Sequence, residues 1–386
     1  MKKVLLSSTA LFALSGAAAF AEVTLSGSAE MGVAGSYVDF EVDEPRPDGS
    51  ESFSADLPVQ FWQDVDVDFT LTGETDGGLA FGANVDLDEA GNLGGQFSNQ
   101  GVDVFISGAF GTVTLGDTDG AVDFVITDQG NIGNPGSIND AETGHAGYQG
   151  AWLDGAGDGQ ILRYDYSFDA FTFAASVAQI PSGGNGLVVE DDDGVTWGLG
   201  FGYEFDFGGG SIDTGVGYQY SDDGSVVLSI GSTFAAALGI NDDDPATGVD
   251  ESAGEFAVGS GEVALTAVGA VLNLDNGLSA GANYALYDFD AASKGVHQWS
   301  VGAGYAFDAF SVHANYGEYS GPDEKARGWG LSAGYDLGGG ASLLAGYGDS
   351  EINGSDLSIL TGEAADDGTD FDFFDQTYSF GLSFSF

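Results

Sequence analysis

The sequence predicts an all-β fold, a sixteen-stranded antiparallel transmembrane β-barrel, on three observations. Segments in which apolar residues alternate with polar or small ones recur from Glu22 to Phe386. The connections between them alternate between very short and long. After Ala21 no window of about 20 residues is free of charge, which excludes a spanning helix. Strand side chains point alternately to opposite faces, so each segment carries one apolar face that needs an apolar neighbour. In a soluble sandwich that neighbour is a second sheet; in a membrane barrel it is lipid, and the polar or small face looks into the lumen. The rhythm of connections favours the barrel, because bacterial spanning barrels have an even strand count, short turns at one rim and long loops at the other.

The elements follow in order. Val23 to Val33 and Val59 to Thr72 are joined by the acidic, Pro-containing segment Ala34 to Pro58. A tight turn at Glu74 to Gly78 leads to Leu79 to Asp88, and Val102 to Ala109 turns at Phe110-Gly111 into Thr112 to Gly116. Some forty residues without alternation then run to Gly159. Ile161 to Phe168 and Phe171 to Gln179 flank a Phe-Asp-Ala turn, and Val195 to Asp206 and Ser211 to Tyr220 flank Gly208-Gly209-Gly210. Ser221 to Gly261 reads as loop, although Val226 to Phe234 has the pattern of a further hairpin arm. Glu262 to Leu274, Leu278 to Phe289, Val296 to Phe307 and Phe310 to Tyr319 follow, the last two joined by a second Phe-Asp-Ala turn. Gly328 to Leu337, Ala341 to Gly348 and the closing Tyr378 to Phe386 complete sixteen, the acidic loop Asp349 to Asp375 preceding the last. Gly and Asp cluster at the tight turns because positive φ is cheap for Gly, and Asn-Gly and similar pairs favour hairpins. Tyr164, Tyr166, Phe168, Phe171 and Phe173 gather round one short turn and Tyr305, Phe307 and Phe310 round another, as an interfacial aromatic girdle requires.

Residues 1–21 have the form of a secretory signal: Lys2 and Lys3, an apolar run from Val4, and Ala19-Phe20-Ala21 as a cleavage site, which leaves residues 22–386 as the barrel domain. Beyond them, Arg46, Arg163, Lys294, Lys325 and Arg327 stand against 61 acids. That imbalance excludes nucleic acid as a partner, since phosphate neutralisation needs Lys and Arg. With no cysteine there is neither a disulfide framework nor thiolate chemistry. Disorder is excluded by 43% hydrophobic residues and 28 Phe. Two G-x-S-x-G matches, at Gly277 to Gly281 and Gly330 to Gly334, lie in alternating strands rather than the strand–turn–helix that a nucleophile elbow needs. His145, His297 and His313 lack zinc-ligand spacing. The reading is therefore of a chain that is not an enzyme and requires no cofactor.

VTLSGSAEMGV (23–33), LTGETDGGLAFG (71–82), VFISGAFGTVTLGD (104–117) and GYDLGGGASLLA (334–345) closely resemble the Rhodobacter-type general diffusion porins of alphaproteobacteria. The resemblance covers most of the chain after residue 21 and is weakest from Ser221 to Gly261. It implies an outer-membrane homotrimer in contact with lipid and lipopolysaccharide, and a water-filled pore for small solutes narrowed by an inward-folded third long loop, here 117–159. It also implies calcium near acidic loop clusters, without a transferable ligand set, and a terminal Phe, here Phe386, read by the outer-membrane assembly machinery. One departure stands out: this chain has few bases for the cluster that usually opposes the loop acids.

With the apolar phase facing lipid, Val65, Val67, Phe69 and Leu71 point out, and Asp64, Asp66 and Asp68 point in. The same rule sends Glu30, Asp86, Asp103, Asp165, Glu204 and Asp213 into the lumen, together with Arg163, the candidate basic side of the constriction. Asp117, Asp119, Asp123, Asp128 and Glu142 are its acidic candidates, with Asp140, Asp154 and Asp158 on the same loop. Carboxylates ringing a narrow passage attract cations and repel anions, so cation preference is expected. Calcium suits the hard oxygens of clusters such as Asp191 to Asp193 and Asp242 to Asp244.

Overall fold

A computed structural model describes residues 22–42, 52–89, 97–149, 152–153, 161–179, 195–229, 255–289, 295–321, 324–354 and 371–386. The first strands are β1 (Glu22–Val42), β2 (Ser52–Glu74), β3 (Ala80–Glu89), β4 (Phe97–Gly108) and β5 (Gly111–Gly116). Next come β6 (Ile161–Phe168), β7 (Phe171–Gln179), β8 (Val195–Phe207), β9 (Gly210–Ser229) and β10 (Glu255–Leu274). β11 (Leu278–Phe289), β12 (Val296–Phe307), β13 (Phe310–Ser320), β14 (Glu324–Gly338), β15 (Ala341–Gly354) and β16 (Phe371–Ser385) follow. Each strand pairs antiparallel with its chain neighbours, and β16 closes on β1 with Gly381 opposite Gly32, so the sheet has no edge. The sixteen-stranded barrel is the expected one.

β1, β2, β4, β9, β10, β14, β15 and β16 run several residues further than the alternation indicates at the long-loop end, whereas β6, β7, β11 and β12 match it. Ser221 to Gly261 is not wholly loop: Val226 pairs with Val258 and Leu228 with Phe256, extending the β9–β10 hairpin. Backbone pairing needs no apolar face once a strand has left the lipid, which is why the sequence pattern stops first. At the other rim the turns are tight. Asp169 and Asp308, in the two Phe-Asp-Ala turns, have φ of 51° and 50°, which Asp tolerates, and Gly338, Gly339 and Gly340 all have positive φ.

The outward phase carries exposed apolar side chains all round, among them Leu25, Phe61, Leu115, Phe201, Val268 and Leu331. Each large apolar side chain left in water forgoes roughly 1.5–3 kcal/mol relative to burial, so this band demands an apolar surrounding. Two aromatic tiers border it. Near the short turns Phe171 packs on Tyr203 at 4.7 Å and Phe310 on Tyr335 at 4.7 Å. Toward the long loops Trp197 meets Tyr218 at 5.4 Å, Trp299 meets Tyr316 at 5.1 Å and Trp329 meets Tyr347 at 5.4 Å. Tyr335 and Trp329 share one strand six residues apart, about 20 Å along it, which suits the apolar band of a spanning barrel.

Residues 117–149 and 152–153 lie against the inward phase and cross it twice. The outgoing pass moves from β7 toward β1: Ala121 N–H donates to Ser176 Oγ (2.9 Å), Asn283 Nδ2 to Thr127 O (2.9 Å) and His313 Nδ1 to Ile132 O (2.8 Å). Ile138 reaches Gly381 and Gly32 on the closing strands. After a turn at Asp140 (φ 51°) the return pass runs back nearer the long-loop end. Ala146 N–H donates to Ser350 Oγ (3.0 Å), Gln298 Nε2 to Gly147 O (3.2 Å) and Leu153 N–H to Gln219 Oε1 (3.1 Å). The wall beneath this belt is glycine: a Cβ on Gly200, Gly215, Gly302 or Gly330 would collide with the carbonyl oxygen of Ala121, Val125, Gln129 or Glu142 respectively. Val122, Ile126, Trp152 and Leu153 join Leu265, Ala267 and Tyr287 in an apolar cluster between belt and wall.

Gly302→Val separates the belt from the barrel as sources of stability. Val is the better strand former, so β12 itself gains, while overpacking against Gln129 costs about 1–3 kcal/mol. The expected outcome is a folded barrel whose 117–149 segment is cut faster in limited proteolysis; unchanged protection would show that the close approach contributes nothing.

Candidate functional site

The acids of β1 to β4 fall into one patch on the inward phase. Glu30 stands opposite Asp64, Asp66 opposite both Ser28 and Asp88, and Asp68 opposite Asp86. Asn84 stands opposite Asp103 and donates to both its oxygens at 3.1 and 3.0 Å, while Ser28 Oγ donates to Asp66 at 2.8 Å. Facing carboxylates on neighbouring strands repel, and a folding chain has no structural reason to collect them there. Glu30, Asp64, Asp66, Asp68, Asp86 and Asp103 all keep partial exposure, in contrast to the buried inward residues Gln219, Asn283, Gln298, Asn315 and Ser332 beneath the belt. Glu204 opposite Asp213 adds a second acidic pair toward the short-turn rim.

The belt acids separate into two kinds. Asp117 and Asp123 are partly exposed and Asp119 is exposed, whereas Asp128 and Glu142 are buried and so face no open water. Glu142 is held by Ser137 Oγ (2.6 Å) and sits against Gly346 and Gly348 of β15. Asp128 accepts a long hydrogen bond from Tyr148 (3.5 Å). Burial, reinforced by the charge of Asp119, pushes its carboxyl up to about 8. Burial likewise holds His145 neutral, with His313 adding to the effect, and its Nδ1 accepts from Gly147 N–H.

Arg163 is also buried, and it grips the root of the belt. Its Nη1 donates to Asp119 O (2.6 Å), its Nε approaches Asp165 Oδ1 (3.4 Å), and its guanidinium lies 4.1 Å from the centre of the Phe124 ring. Asp165 is buried beside it. Both side chains are thus spent on fixing the segment that follows β5. Phe386 is exposed, and its backbone N–H donates to Gly27 O at 3.0 Å. Among the described residues no three His, Cys, Asp or Glu side chains are grouped to hold a metal ion. The signal segment 1–21, Asp154, Asp158 and the acidic runs 191–193 and 242–244 lie outside the described residues. Sequence reading missed the anchors Ser176, Asn283, Gln298 and Ser350; their signal was a polar side chain in place of glycine on the inward phase.

Two measurements probe these contacts. Arg163→Gln leaves Asp165 buried without its counter-charge, so a loss of about 3 kcal/mol in denaturant unfolding is expected, and Asp165→Asn in the same chain should recover part of it. Asp128 binds a proton in the fold at pH values where the unfolded chain has released it. Its contribution is therefore full below about pH 4 and is lost as pH rises toward 8. Unfolding of Asp128→Asn should show less decline than the parent between those limits; parallel curves would place no proton there.

The sequence model of the Gram-negative porin family matches residues 7–355. A porin of Rhodobacter capsulatus is 30% identical over 343 residues, covering 87% of this chain and 97% of that protein. Among solved structures, a porin refined at 1.8 Å superposes with a TM-score of 0.57 at 22% identity, over 95% of this chain and all of that one. A triple mutant of the Rhodopseudomonas blastica porin gives 0.52 at 17% identity, and a loop-deleted OmpT of Vibrio cholerae 0.55 at 13%, each over 95% of this chain and at least 99% of the other. The chain belongs to the Gram-negative porin family: it is an outer-membrane channel, not an enzyme.

Proposed function

We propose that this porin passes small hydrophilic solutes and ions by passive diffusion and prefers cations. The observation that carries the reading is the carboxylate patch of β1 to β4, six partly exposed acids in register on one stretch of inner wall. Low-dielectric walls focus the field of like charges into the water beside them, raising local cation concentration and excluding anions. In this reading the segment 117–159 is the constriction loop, and Asp117, Asp119 and Asp123 are the acids it presents to the passage. Arg163 serves as its clamp, so among the described residues the constriction carries charge of one sign, without the opposed bases that would turn a solute dipole across it. Assembly as a homotrimer, contact with lipopolysaccharide and recognition of Phe386 by the outer-membrane assembly machinery belong to the same proposal, on the family resemblance. Calcium at the acidic loops does as well, because hard oxygen donors suit it and repulsion among them needs relief.

Reversal potentials across a planar bilayer in a potassium chloride gradient test the selectivity. The parent should reverse near the potassium potential. Asp64→Asn, Asp66→Asn and Asp68→Asn together should move it at least halfway toward zero with little change in the size of the conductance step. A parent that reverses on the chloride side would sink the proposal.

A further inference from the structure

Bases are so scarce after residue 21 that the position of each carries information. Arg163 faces inward and is consumed by the belt. Lys325 and Arg327 face the other way, on the outward phase of β14 shared with Trp329 and Leu331. Arg327 lies one outward step beyond Trp329 and Lys325 two, each step about 6.5 Å along the strand. Trp329 belongs to the upper aromatic tier, so both bases stand just beyond the apolar band, at the depth where lipid headgroups begin.

The patch is built rather than incidental. Glu351 clasps Arg327 side-on, with Nε at 2.9 Å and Nη2 at 2.7 and 2.5 Å from its two oxygens. That clasp uses one edge of the guanidinium and leaves the Nη1 edge turned away from the carboxylate. Glu318 holds Lys325 Nζ at 2.9 Å and is itself fixed by Tyr316 Oη and Ser320 Oγ, both at 3.1 Å. Two outward acids flank the pair and are occupied as well: Asp372 accepts from Asn353 Nδ2 and Asp349 from Gln376 Nε2. Despite these partners, the side chains of Lys325 and Arg327 remain 41% and 40% exposed. Surface ion pairs contribute little to stability, so a preorganised pair at this depth has a better use as a recognition surface.

We infer that Lys325 and Arg327 form a binding site for a phosphate-bearing lipid headgroup of the outer leaflet. The site rests on the outer-membrane reading of the barrel. The chemistry follows from the remaining donors: Lys325 and Arg327 stand two residues apart on one outward phase, and the Nη1 edge of Arg327 and the remaining hydrogens of Lys325 Nζ are the donors offered to a phosphate, while Glu318 and Glu351 position the bases. A lipid is the occupant because the site looks outward and sits immediately above rings that mark the edge of the apolar band, so a bound lipid keeps its acyl chains against Leu331 and its headgroup at the bases.

The test uses the full chain folded in detergent, with magnesium held constant. Native mass spectrometry compares retention of a diphosphorylated lipid A with that of its dephosphorylated counterpart. The parent should retain the phosphorylated form at least tenfold more tightly, and Lys325→Gln with Arg327→Gln should remove that preference. The variant's heat-modifiable mobility and conductance should stay unchanged, since neither side chain reaches the lumen. If the double variant does not fold, the two single substitutions are read separately and each should lower the preference. Equal retention of both lipids by the parent, or parental retention by the variants, overturns the site. Inorganic phosphate competing at the lipid's own concentration overturns it in favour of a free-anion site. A change in oligomer mass with lipid retention intact overturns it in favour of contact between copies of the chain. Ion preference is measured separately, so a failure of cation selectivity leaves these outcomes readable.

Discussion

How closely the belt backbone can approach the barrel wall governs the interior. Carbonyl oxygens of Ala121, Val125, Gln129 and Glu142 rest where side chains would otherwise be, and only glycine leaves that room. Where the wall is not glycine beneath the belt, it offers a hydrogen-bonding side chain to a backbone group that would otherwise be stranded: Ser176, Asn283, Gln298, Asn315 and Ser350 each satisfy one. Two residue classes on one phase of the sheet thus let an irregular segment cross inside a membrane protein, which is tolerated only when its polar groups find partners in protein or water. Glycine weakens a strand by itself, so those wall positions exchange intrinsic strand preference for contact with the belt.

The same arrangement distributes function around the circumference. Inward residues midway along β9 to β14, such as Gln219, Asn283, Gln298, Asn315 and Ser332, are buried under the belt, whereas the carboxylates of β1 to β4 keep partial access to water. On the function proposed above, ions moving beside that wall meet charge of one sign at close range, where screening is weakest. The outward face follows a separate logic, with apolar side chains between two aromatic tiers and the two outward bases beyond the upper one.

Much of this was legible in the sequence. The period-2 pattern identified the strands and their facing because lipid on one side and water on the other impose opposite demands on alternate residues. It failed where one of those demands lapses. Beyond the lipid no apolar face is required, so the extension of β9 and β10 through Val226 and Val258 left little trace. The buried states of Asp128 and Glu142 were not legible, since an acid in a loop has the same letter whether it faces water or the underside of a strand. Arg163 was recognised as inward, but its neighbours Asp119 and Phe124 come from the belt, 44 and 39 residues earlier in number, and nothing in spacing brings them together.

The belt also has a place in time. Its partners lie far along the chain: Asn134 bonds Ser332 across 198 positions and Ala146 bonds Ser350 across 204. Contacts of such separation form late, since the entropy of closing long loops precedes their reward. While β14 and β15 are still being placed, the return pass has Gln219 of β9, Gln298 of β12 and Asn315 of β13 to bond but lacks Ser350 and the glycine bed that receives Glu142. The last hairpins therefore complete two objects at once, the wall that seals against β1 and the far end of the bed that receives Glu142 and Ala146, so a barrel that fails to close also leaves the turn of the belt unsupported.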